Sequence, residues 1–328
     1  MEGAWVRSFR GLVVFAAALA LLGGCAGPSA QLTDDEIRAL KDKEALAHAG
    51  TAEDDGEVFG KVDLTRPHLE LAMVDVGQGD GMVLRGPSGR VIVIDTGKNG
   101  APIVDYLRSN GISSVDLLVL THPHADHIGG ADELLEAVEI KRVLDPISEK
   151  GSHTYEKLLG EFEAREIPVL QGRRGRRIKL DEGVALDVLA PPIPHITGTR
   201  SDANSNSVVM RLTWDRVSIL FMGDAEHETE ESIMALAEEL PLASTVLKVA
   251  HHGSRYASDE AFLALVQPKV ALISCGKGNS YGHPAPETVE RLMKLTPHVF
   301  RTDEVGTIRL ITDGKHISIM SERGLPVP

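Results

Sequence analysis

The sequence predicts an α/β domain, and three observations lead to that prediction. Strand-like and helix-like segments alternate along the 328-residue chain from His68 onward. Several strand-like segments are almost continuously apolar and rich in β-branched residues, as in sheets that are buried on both faces. The chain is 42% hydrophobic and 25% charged, which is the composition of an ordinary globular protein. This composition excludes a disordered chain, a collagen-like chain and a polytopic membrane protein.

The N-terminal segment has the pattern of a secretory signal. Arg7 and Arg10 precede an apolar stretch that is too short to span a bilayer comfortably. The stretch ends in Leu-Gly-Gly-Cys, which resembles the bacterial lipobox, where a peptidase cleaves before a lipidated cysteine. We expect residues 1–24 to be a lipoprotein signal peptide, Cys25 to carry the lipid and residues 25–66 to be a linker. An ordinary signal peptide or an uncleaved anchor is the alternative. The lipid would hold the protein at a bacterial membrane, outside the cytoplasm.

The remaining elements form one predicted domain over residues 67–322. The apolar patterns predict strands at 69–75, 90–95, 115–120, 184–190, 207–214, 217–222, 245–250, 269–274 and 307–312. Helical patterns lie near 101–109, 130–138, 154–165, 226–239, 258–266 and 285–294. The sequence contains no P-loop, dinucleotide fingerprint or nucleophile elbow, which excludes the enzyme classes that depend on them.

The charge balance and the cysteine count exclude further classes. The chain has 34 Lys and Arg against 48 Asp and Glu, a formal net charge of −14. Such an acidic chain does not fit a passive nucleic-acid coat, because binding to the phosphate backbone needs many basic contacts. The two cysteines, Cys25 and Cys275, are too few for a disulfide framework or a four-cysteine metal site.

A cluster of histidines is the strongest chemical signal in the sequence. The segment THPHADHIGG directly follows the apolar strand VDLLVL. It holds His122, His124, Asp126 and His127, and imidazole and carboxylate groups are good ligands for zinc and similar divalent ions. The strand would present these groups on a fixed loop. We therefore predict a metal site where this strand ends.

The HxHxDH pattern resembles the signature of the metallo-β-lactamase fold superfamily. Further motifs in the same order make the chain similar to the C-terminal hydrolase domain of ComEC-type competence proteins. These motifs are DVGQGD, VIDTG, NSNS, MGD, KVAHHGS and YGHP, and the resemblance covers about residues 68–320. It implies a four-layer αβ/βα sandwich with two mixed sheets and the metals at one edge between them. The channel segments of ComEC have no counterpart here, so we expect a stand-alone relative.

The resemblance also implies a set of metal ligands. The set comprises His122 and His124 for a first ion, Asp126, His127 and His251 for a second, and Asp224 as a bridge. Each candidate directly follows an apolar strand, which fits a common site at one sheet edge. One or two divalent ions are expected, with zinc favoured over manganese. Many superfamily members place another histidine before the bridging aspartate. Asn204 and Ser207 stand in that region here, so the first site should be weaker.

The adjacent residues His251 and His252 need separate roles. Neighbouring side chains on an extended backbone point in opposite directions, so both cannot easily bind one ion. We favour His251 as the ligand and His252 as a catalytic or phosphate-contacting group, with the reverse assignment as the alternative. His283 is either a capped loop residue or a catalytic group near the metals, as a substrate contact or a proton donor. The residues expected to contact the substrate or support the ligands are Asp75, Gln78, Asp80, Asn204, Ser207 and Lys248, and Asp95 is expected at a turn beside the metal loop.

The expected reaction is metal-dependent hydrolysis. Metal-bound water would attack as hydroxide, and Asp126 would orient it. The resemblance implies a phosphodiester substrate, with nucleic acid among the candidates, in DNA uptake or in other extracellular phosphodiester processing. A β-lactamase or lactonase is the alternative enzyme, and a non-catalytic lipoprotein module of an uptake apparatus is the alternative outside enzymes. The intact ligand set argues against the module.

Overall fold

The computed structural model describes residues 58–148 and 152–324. The predicted signal peptide and Cys25 lie outside the described residues, as does most of the predicted linker. At the described end of that linker, the amide of Ile317 donates to the carbonyl of Val58 at 2.9 Å, and Phe59 forms a β-bridge with Ile317. Residues 58–60 therefore attach to the edge of a sheet, several residues before the predicted start of the domain.

The first large sheet is mixed. Its strands are β1 Leu69–Met73, β2 Gly81–Arg85, β3 Val91–Thr96, β5 Leu117–Val119, β7 Val143–Asp145, β8 Val169–Gln171, β16 Ile308–Thr312 and β17 Ile317–Ser321. They lie in the order β17-β16-β1-β2-β3-β5-β7-β8, and the last four run parallel. Two short strands, β4 Ser114–Val115 and β6 Glu139–Ile140, pair separately.

The second large sheet is also mixed. Its strands are β9 Arg177–Asp181, β10 Val184–Ala190, β11 Val209–Trp214, β12 Val217–Phe221, β13 Val246–Lys248, β14 Val270–Ile273 and β15 Val299–Arg301. Their order is β15-β14-β13-β12-β11-β10-β9. Strands β12 to β15 run parallel, and β9 to β12 run antiparallel.

Helices lie between many of the strands. They are α1 Ala101–Ser109, α2 Ala125–Ile128, α3 Ala131–Ala137, α4 His153–Ala164, α5 Asp202–Ser205, α6 His227–Met234, α7 Glu260–Val266, α8 Pro286–Leu295 and α9 Thr302–Val305, with a 3₁₀ turn at Ala250–Gly253. Within the described ranges, every helix is too short or too polar to cross a membrane.

The apolar side chains form three layers of core. Met73 and Ile94 of the first sheet share a central core with Phe221 and Leu272 of the second. The outer face of the first sheet packs against α1, α3 and α4, and the outer face of the second packs against α6, α7 and α8. Because helices cover both outer faces, the fold is the four-layer αβ/βα sandwich with two mixed sheets that the sequence predicted.

The parallel strands position the candidate site. Strands β3 and β5 belong to the first sheet, and β12 and β13 belong to the second. Asp95 lies at the end of β3, and the HxHxDH segment follows β5. Asp224 follows β12, and His251 follows β13. The carboxyl ends of these strands meet at one edge of the sandwich, which is where α/β folds commonly place binding groups.

Candidate metal centre

Four side chains bring their ligand atoms together at this edge: Asp126, His127, Asp224 and His252, with the atoms all within 4.8 Å of one another. Nε2 of His127 lies 3.2 Å from Oδ1 of Asp224. Nε2 of His252 lies 3.5 Å from Oδ2 of Asp126 and 3.6 Å from Oδ2 of Asp224. Ligand atoms that surround a tetrahedral zinc ion at its usual bond lengths are about 3.3 Å apart, so the group has the dimensions of a metal site.

Unpaired buried atoms support the same conclusion. Among the described residues, Nε2 of His127, Nε2 of His252 and Oδ1 of Asp224 are buried without a hydrogen-bond partner. Buried polar atoms in native proteins are normally paired, and leaving one unpaired costs about 1–3 kcal/mol. A divalent cation would satisfy all three atoms at once. The residues present therefore fit a resident metal ion.

A buried carboxylate orients His127. Nδ1 of His127 donates to Oδ2 of Asp95 at 2.8 Å. The Thr121 hydroxyl donates to the same oxygen at 2.6 Å, and the Thr121 amide donates to Oδ1 of Asp95 at 2.8 Å. With Nδ1 engaged, the free Nε2 of His127 faces Asp224. A carboxylate behind a ligating histidine fixes the ring and makes it a stronger ligand. Asp95 was expected only at a turn, and the structure gives it this supporting contact.

A backbone carbonyl and a second buried carboxylate lie behind His252. Nδ1 of His252 donates to the carbonyl of Ser274 at 3.0 Å and lies 3.3 Å from Oδ1 of Asp80. Oδ2 of Asp80 lies 2.7 Å from Nζ of Lys248, and both side chains are 0% exposed. The ammonium also donates to the carbonyl of Val249. Asp80 thus lies behind a candidate ligand. Lys248 cannot contact a substrate, because its charged end is buried against Asp80.

The structure places the adjacent histidines differently from the sequence prediction, and which of them binds a metal stays a prediction. His251 was expected to lie with Asp126 and His127, but His252 takes that position. The alternation rule assumed extended backbone, whereas β13 ends at Lys248 and both histidines lie in the 3₁₀ turn. Their φ angles are +47° and +54°, in the left-handed region. Successive side chains in that conformation are not opposed, so the premise of the assignment does not hold.

The first two histidines of the motif lie on the other side of Asp224. Nε2 of His122 is 3.7 Å from Oδ2 of Asp224 and 3.0 Å from Nδ1 of His124. Nδ1 of His122 is 3.1 Å from the Thr121 hydroxyl. Burial lowers the pKa of His122 well below its usual value, and it also lowers that of His124. Both rings are therefore neutral at pH 7, which is the form that binds metals.

The carboxylates attract positive charge into the centre. Burial opposes a proton on His127 and on His252, but the neighbouring carboxylates outweigh it and raise both pKa values, that of His252 to about 9. Burial also opposes ionisation of Asp224, and the surrounding imidazoles nevertheless hold its pKa well below the usual value. The centre therefore favours an anionic Asp224 surrounded by cations, an environment suited to a metal ion.

A third buried carboxylate, Glu226, was not identified from the sequence. It accepts hydrogen bonds from Nδ2 of Asn204 at 2.8 Å and from Nε of Arg200 at 3.2 Å, and Nδ1 of His251 lies 3.1 Å from its Oε1. Its position two residues after Asp224, in MGDAE, was the available signal. Asn204 therefore supports a carboxylate beside the centre.

The other predicted residues take different positions. The Ser207 hydroxyl accepts from the Asp224 amide at 3.2 Å, and Oε1 of Gln78 accepts from the Gly276 amide at 3.1 Å. Asp75 contacts the Gly77 amide and Arg323 rather than any candidate ligand. Ser207 and Gln78 thus hold the loops of the site, whereas Asp75 stabilises a neighbouring turn.

His283 lies beside the adjacent histidines. Its ring centroid is 5.4 Å from that of His251 and 6.4 Å from that of His252, and the exposed Tyr281 stacks on it. Burial and the nearby imidazoles lower the pKa of His283 to about 4. The ring is therefore neutral at pH 7, and a catalytic role for it stays a prediction.

Comparison with known proteins agrees with this geometry. Residues 74–277 match the family model described as the metallo-beta-lactamase superfamily. The chain is 32% identical to ComE operon protein 3 of Bacillus subtilis, in a match that covers 73% of the present chain. It is 30% identical to Recombination protein 2 of Haemophilus influenzae, in a match that covers 75% of the present chain. It is 29% identical to Competence protein ComA of Neisseria gonorrhoeae over 74%. The matches cover only 32%, 29% and 32% of those proteins, so the chain spans about a third of their length. The chain belongs to the metallo-beta-lactamase superfamily.

Proposed function

We propose that this protein is a metal-dependent phosphodiesterase that acts on nucleic acid outside the cytoplasm. One observation carries the proposal: Asp126, His127, Asp224 and His252 converge at one edge of the sandwich. A buried carboxylate lies behind each of the two histidines. Such an arrangement holds ligands rigidly, as catalysis requires. The relatives named for competence and recombination support a nucleic-acid substrate.

The ion would activate the water, whereas the surrounding residues would hold the ion and position the water. A divalent ion held by Asp126, His127, Asp224 and His252 would lower the pKa of bound water toward neutrality and would polarise the phosphoryl oxygens. The side chain of Asp126 is 28% exposed, against 3% for Asp224. Asp126 therefore lies on the solvent side, where its carboxylate can orient the attacking water and accept its proton. Asp224 faces inward, and its carboxylate lies between the histidines of the two groups.

The cationic side chain of Arg200 lies beside the candidate metal centre. Arg200 binds the buried Glu226, and its guanidinium carbon lies 4.2 Å above the ring of Tyr256. Its side chain is 46% exposed, so part of the guanidinium is open to solvent. A planar, permanently charged guanidinium suits phosphate recognition. It gives an otherwise acidic protein a local contact for a phosphodiester.

The substrate class can be tested directly. We expect the metal-loaded protein to hydrolyse bis-p-nitrophenyl phosphate and a single-stranded oligonucleotide, and to turn over nitrocefin at least about tenfold more slowly, a barrier difference of about 1.4 kcal/mol. Steady-state rates on the three substrates decide the question, with the metal-stripped protein as the control. Rapid nitrocefin turnover with inert phosphodiesters would favour the β-lactamase alternative. Inactivity on all three substrates would favour the non-catalytic module.

The extracytoplasmic location rests on the predicted lipobox. We expect Cys25→Ser to abolish incorporation of labelled fatty acid, because the thiol of Cys25 is the site of acylation. Cys275→Ser is the matched control, since Cys275 is buried and should not affect labelling. Gel fluorography of both variants and the wild type measures the incorporation. Undiminished label in Cys25→Ser would contradict the lipid anchor and the membrane location that depends on it.

A further inference from the structure

We propose that His251 completes a first metal site with His122, His124 and Asp224, while the adjacent His252 serves a second site. The first site was expected to be weak, because Asn204 and Ser207 stand where many relatives have a further histidine. The structure brings a histidine to that site from another part of the chain. This inference rests on the proposed metal-dependent function of the same centre, but it concerns metal binding and can be tested without activity.

Asp224 lies between the two groups of histidines. Its Oδ2 is 3.7 Å from Nε2 of His122 and 3.6 Å from Nε2 of His251. Nε2 of His122 is in turn 3.0 Å from Nδ1 of His124. These three distances lie within about 0.4 Å of the spacing expected between ligand atoms on one tetrahedral ion. The ligand atoms of this group are less closely gathered than those of Asp126, His127, Asp224 and His252, which all lie within 4.8 Å of one another. The carboxylate also reaches the second group, through Oδ1 to His127 and Oδ2 to His252.

The backbone of the turn explains how adjacent residues can serve the same centre. His251 and His252 both have positive φ angles, +47° and +54°, so their side chains are not directed to opposite faces. Left-handed backbone costs a residue with a β-carbon about 1–2 kcal/mol. Strain of this kind is typically found at functional sites. Here the turn is held by the His251 amide, which donates to the carbonyl of Gly223, and by the Ser254 amide, which donates to His251.

The support behind His251 matches the support behind the other two histidines. Nδ1 of His127 faces Asp95, and Nδ1 of His252 faces Asp80. Nδ1 of His251 faces Glu226 at 3.1 Å, and the Glu226 side chain is 2% exposed. In each case a carboxylate lies behind Nδ1, and Nε2 is directed at Asp224. A histidine that served only as an ion-pair partner for Glu226 would not need this orientation.

Metal titration tests the proposal. The full chain, stripped of metal, would be titrated with Co²⁺ alone, with stoichiometry measured by elemental analysis and affinity by absorbance. We expect two equivalents in the wild type and one in His251→Ala. His283→Ala is the matched control, because its ring lies 5.4 Å from that of His251, and this variant should keep two equivalents. Circular dichroism of the metal-free proteins verifies that each variant is folded.

A second variant keeps the test valid if His251→Ala fails to fold. Glu226→Gln preserves the size of the side chain but removes the charge behind His251. We expect it to keep the second equivalent unchanged and to weaken the first about 10- to 100-fold, the usual effect of losing a carboxylate behind a metal ligand.

Two results would overturn the inference. The first is a wild type that binds a single equivalent of Co²⁺. The second is a His251→Ala protein with the same Co²⁺ stoichiometry and affinity as the wild type. If His251→Ala does not fold, unchanged Co²⁺ stoichiometry and affinity in Glu226→Gln has the same meaning. Loss of one equivalent in His251→Ala, in a protein that leaves phosphodiesters intact, would refute the proposed function and support this inference. Phosphodiester hydrolysis by a protein with unaltered binding in His251→Ala would do the reverse.

Discussion

Replacement of Asp224 by alanine should reduce phosphodiester hydrolysis by at least about a thousandfold, equivalent to about 4 kcal/mol of transition-state stabilisation. The Asp224 carboxylate lies 3.2 Å from His127 and 3.6 Å from both His251 and His252. It lies beside candidate ligands of both sites. Without it, two close cations would lose the charge that neutralises them, so bound metal should fall with activity.

The control for this variant is another aspartate with a different environment. Asp132 is exposed and forms an ion pair with Lys157 on the protein surface. Exposed pairs contribute at most about 1 kcal/mol, so Asp132→Ala should retain metal and activity. Elemental analysis, circular dichroism and initial rates on both variants provide the measurements. Full metal content in a folded Asp224→Ala protein would show that Asp224 is not a ligand.

The strand pattern made much of the fold and part of the site predictable. Each predicted strand and helix between residues 69 and 312 has a counterpart in the structure. The carboxyl ends of parallel strands meet at one edge, so the HxHxDH segment and Asp224 could be placed together from their positions after β5 and β12. Short edge strands such as β8 and β15 were missed, because three residues are too few to show a period.

The remaining features of the site depend on contacts between residues far apart in the sequence or on the backbone of a turn, which the pattern of apolar residues does not show. The roles of His251 and His252 follow from the sign of φ in a tight turn, and the alternation argument assumed the opposite backbone. Glu226 was overlooked because its partners come from separate loops. Lys248 was expected to contact the substrate or to support the ligands, and its ammonium lies against Asp80, which is distant in the sequence.

This buried ion pair leads to the largest expected effect on stability. Lys248→Met should lower the free energy of unfolding by about 3–5 kcal/mol, because it leaves the charge of Asp80 buried without a partner. Lys141→Met is the control, since Lys141 is 48% exposed and its pair with Asp116 lies at the surface. That change should cost at most about 1 kcal/mol. Urea unfolding of the metal-free proteins at pH 7 measures both values.

The pH dependence gives the prediction a second, independent readout. Burial opposes ionisation of Asp80, but Lys248 and His252 outweigh it and lower the pKa of Asp80 to about 2. The wild type should therefore lose the stability from this pair as the pH falls from about 4 toward 2, where the folded-state carboxylate becomes protonated. In Lys248→Met, burial without the ammonium should move the pKa of Asp80 upward from its wild-type value. If that pKa exceeds the unfolded value of about 3.9, this carboxylate destabilises the folded state as the pH rises above it. The stability gap between the two proteins should thus widen from low pH to pH 7.

The double variant Asp80→Asn with Lys248→Met shows how much of the stability lost in Lys248→Met comes from leaving the Asp80 charge unpaired. It should be more stable than Lys248→Met alone, because no charge then remains buried at this position. It should still bind metal more weakly than the wild type, since the carboxylate behind His252 is lost. A Lys248→Met protein as stable as Lys141→Met at pH 7, with no change in the gap at low pH, would show that the Asp80–Lys248 contact does not contribute to stability.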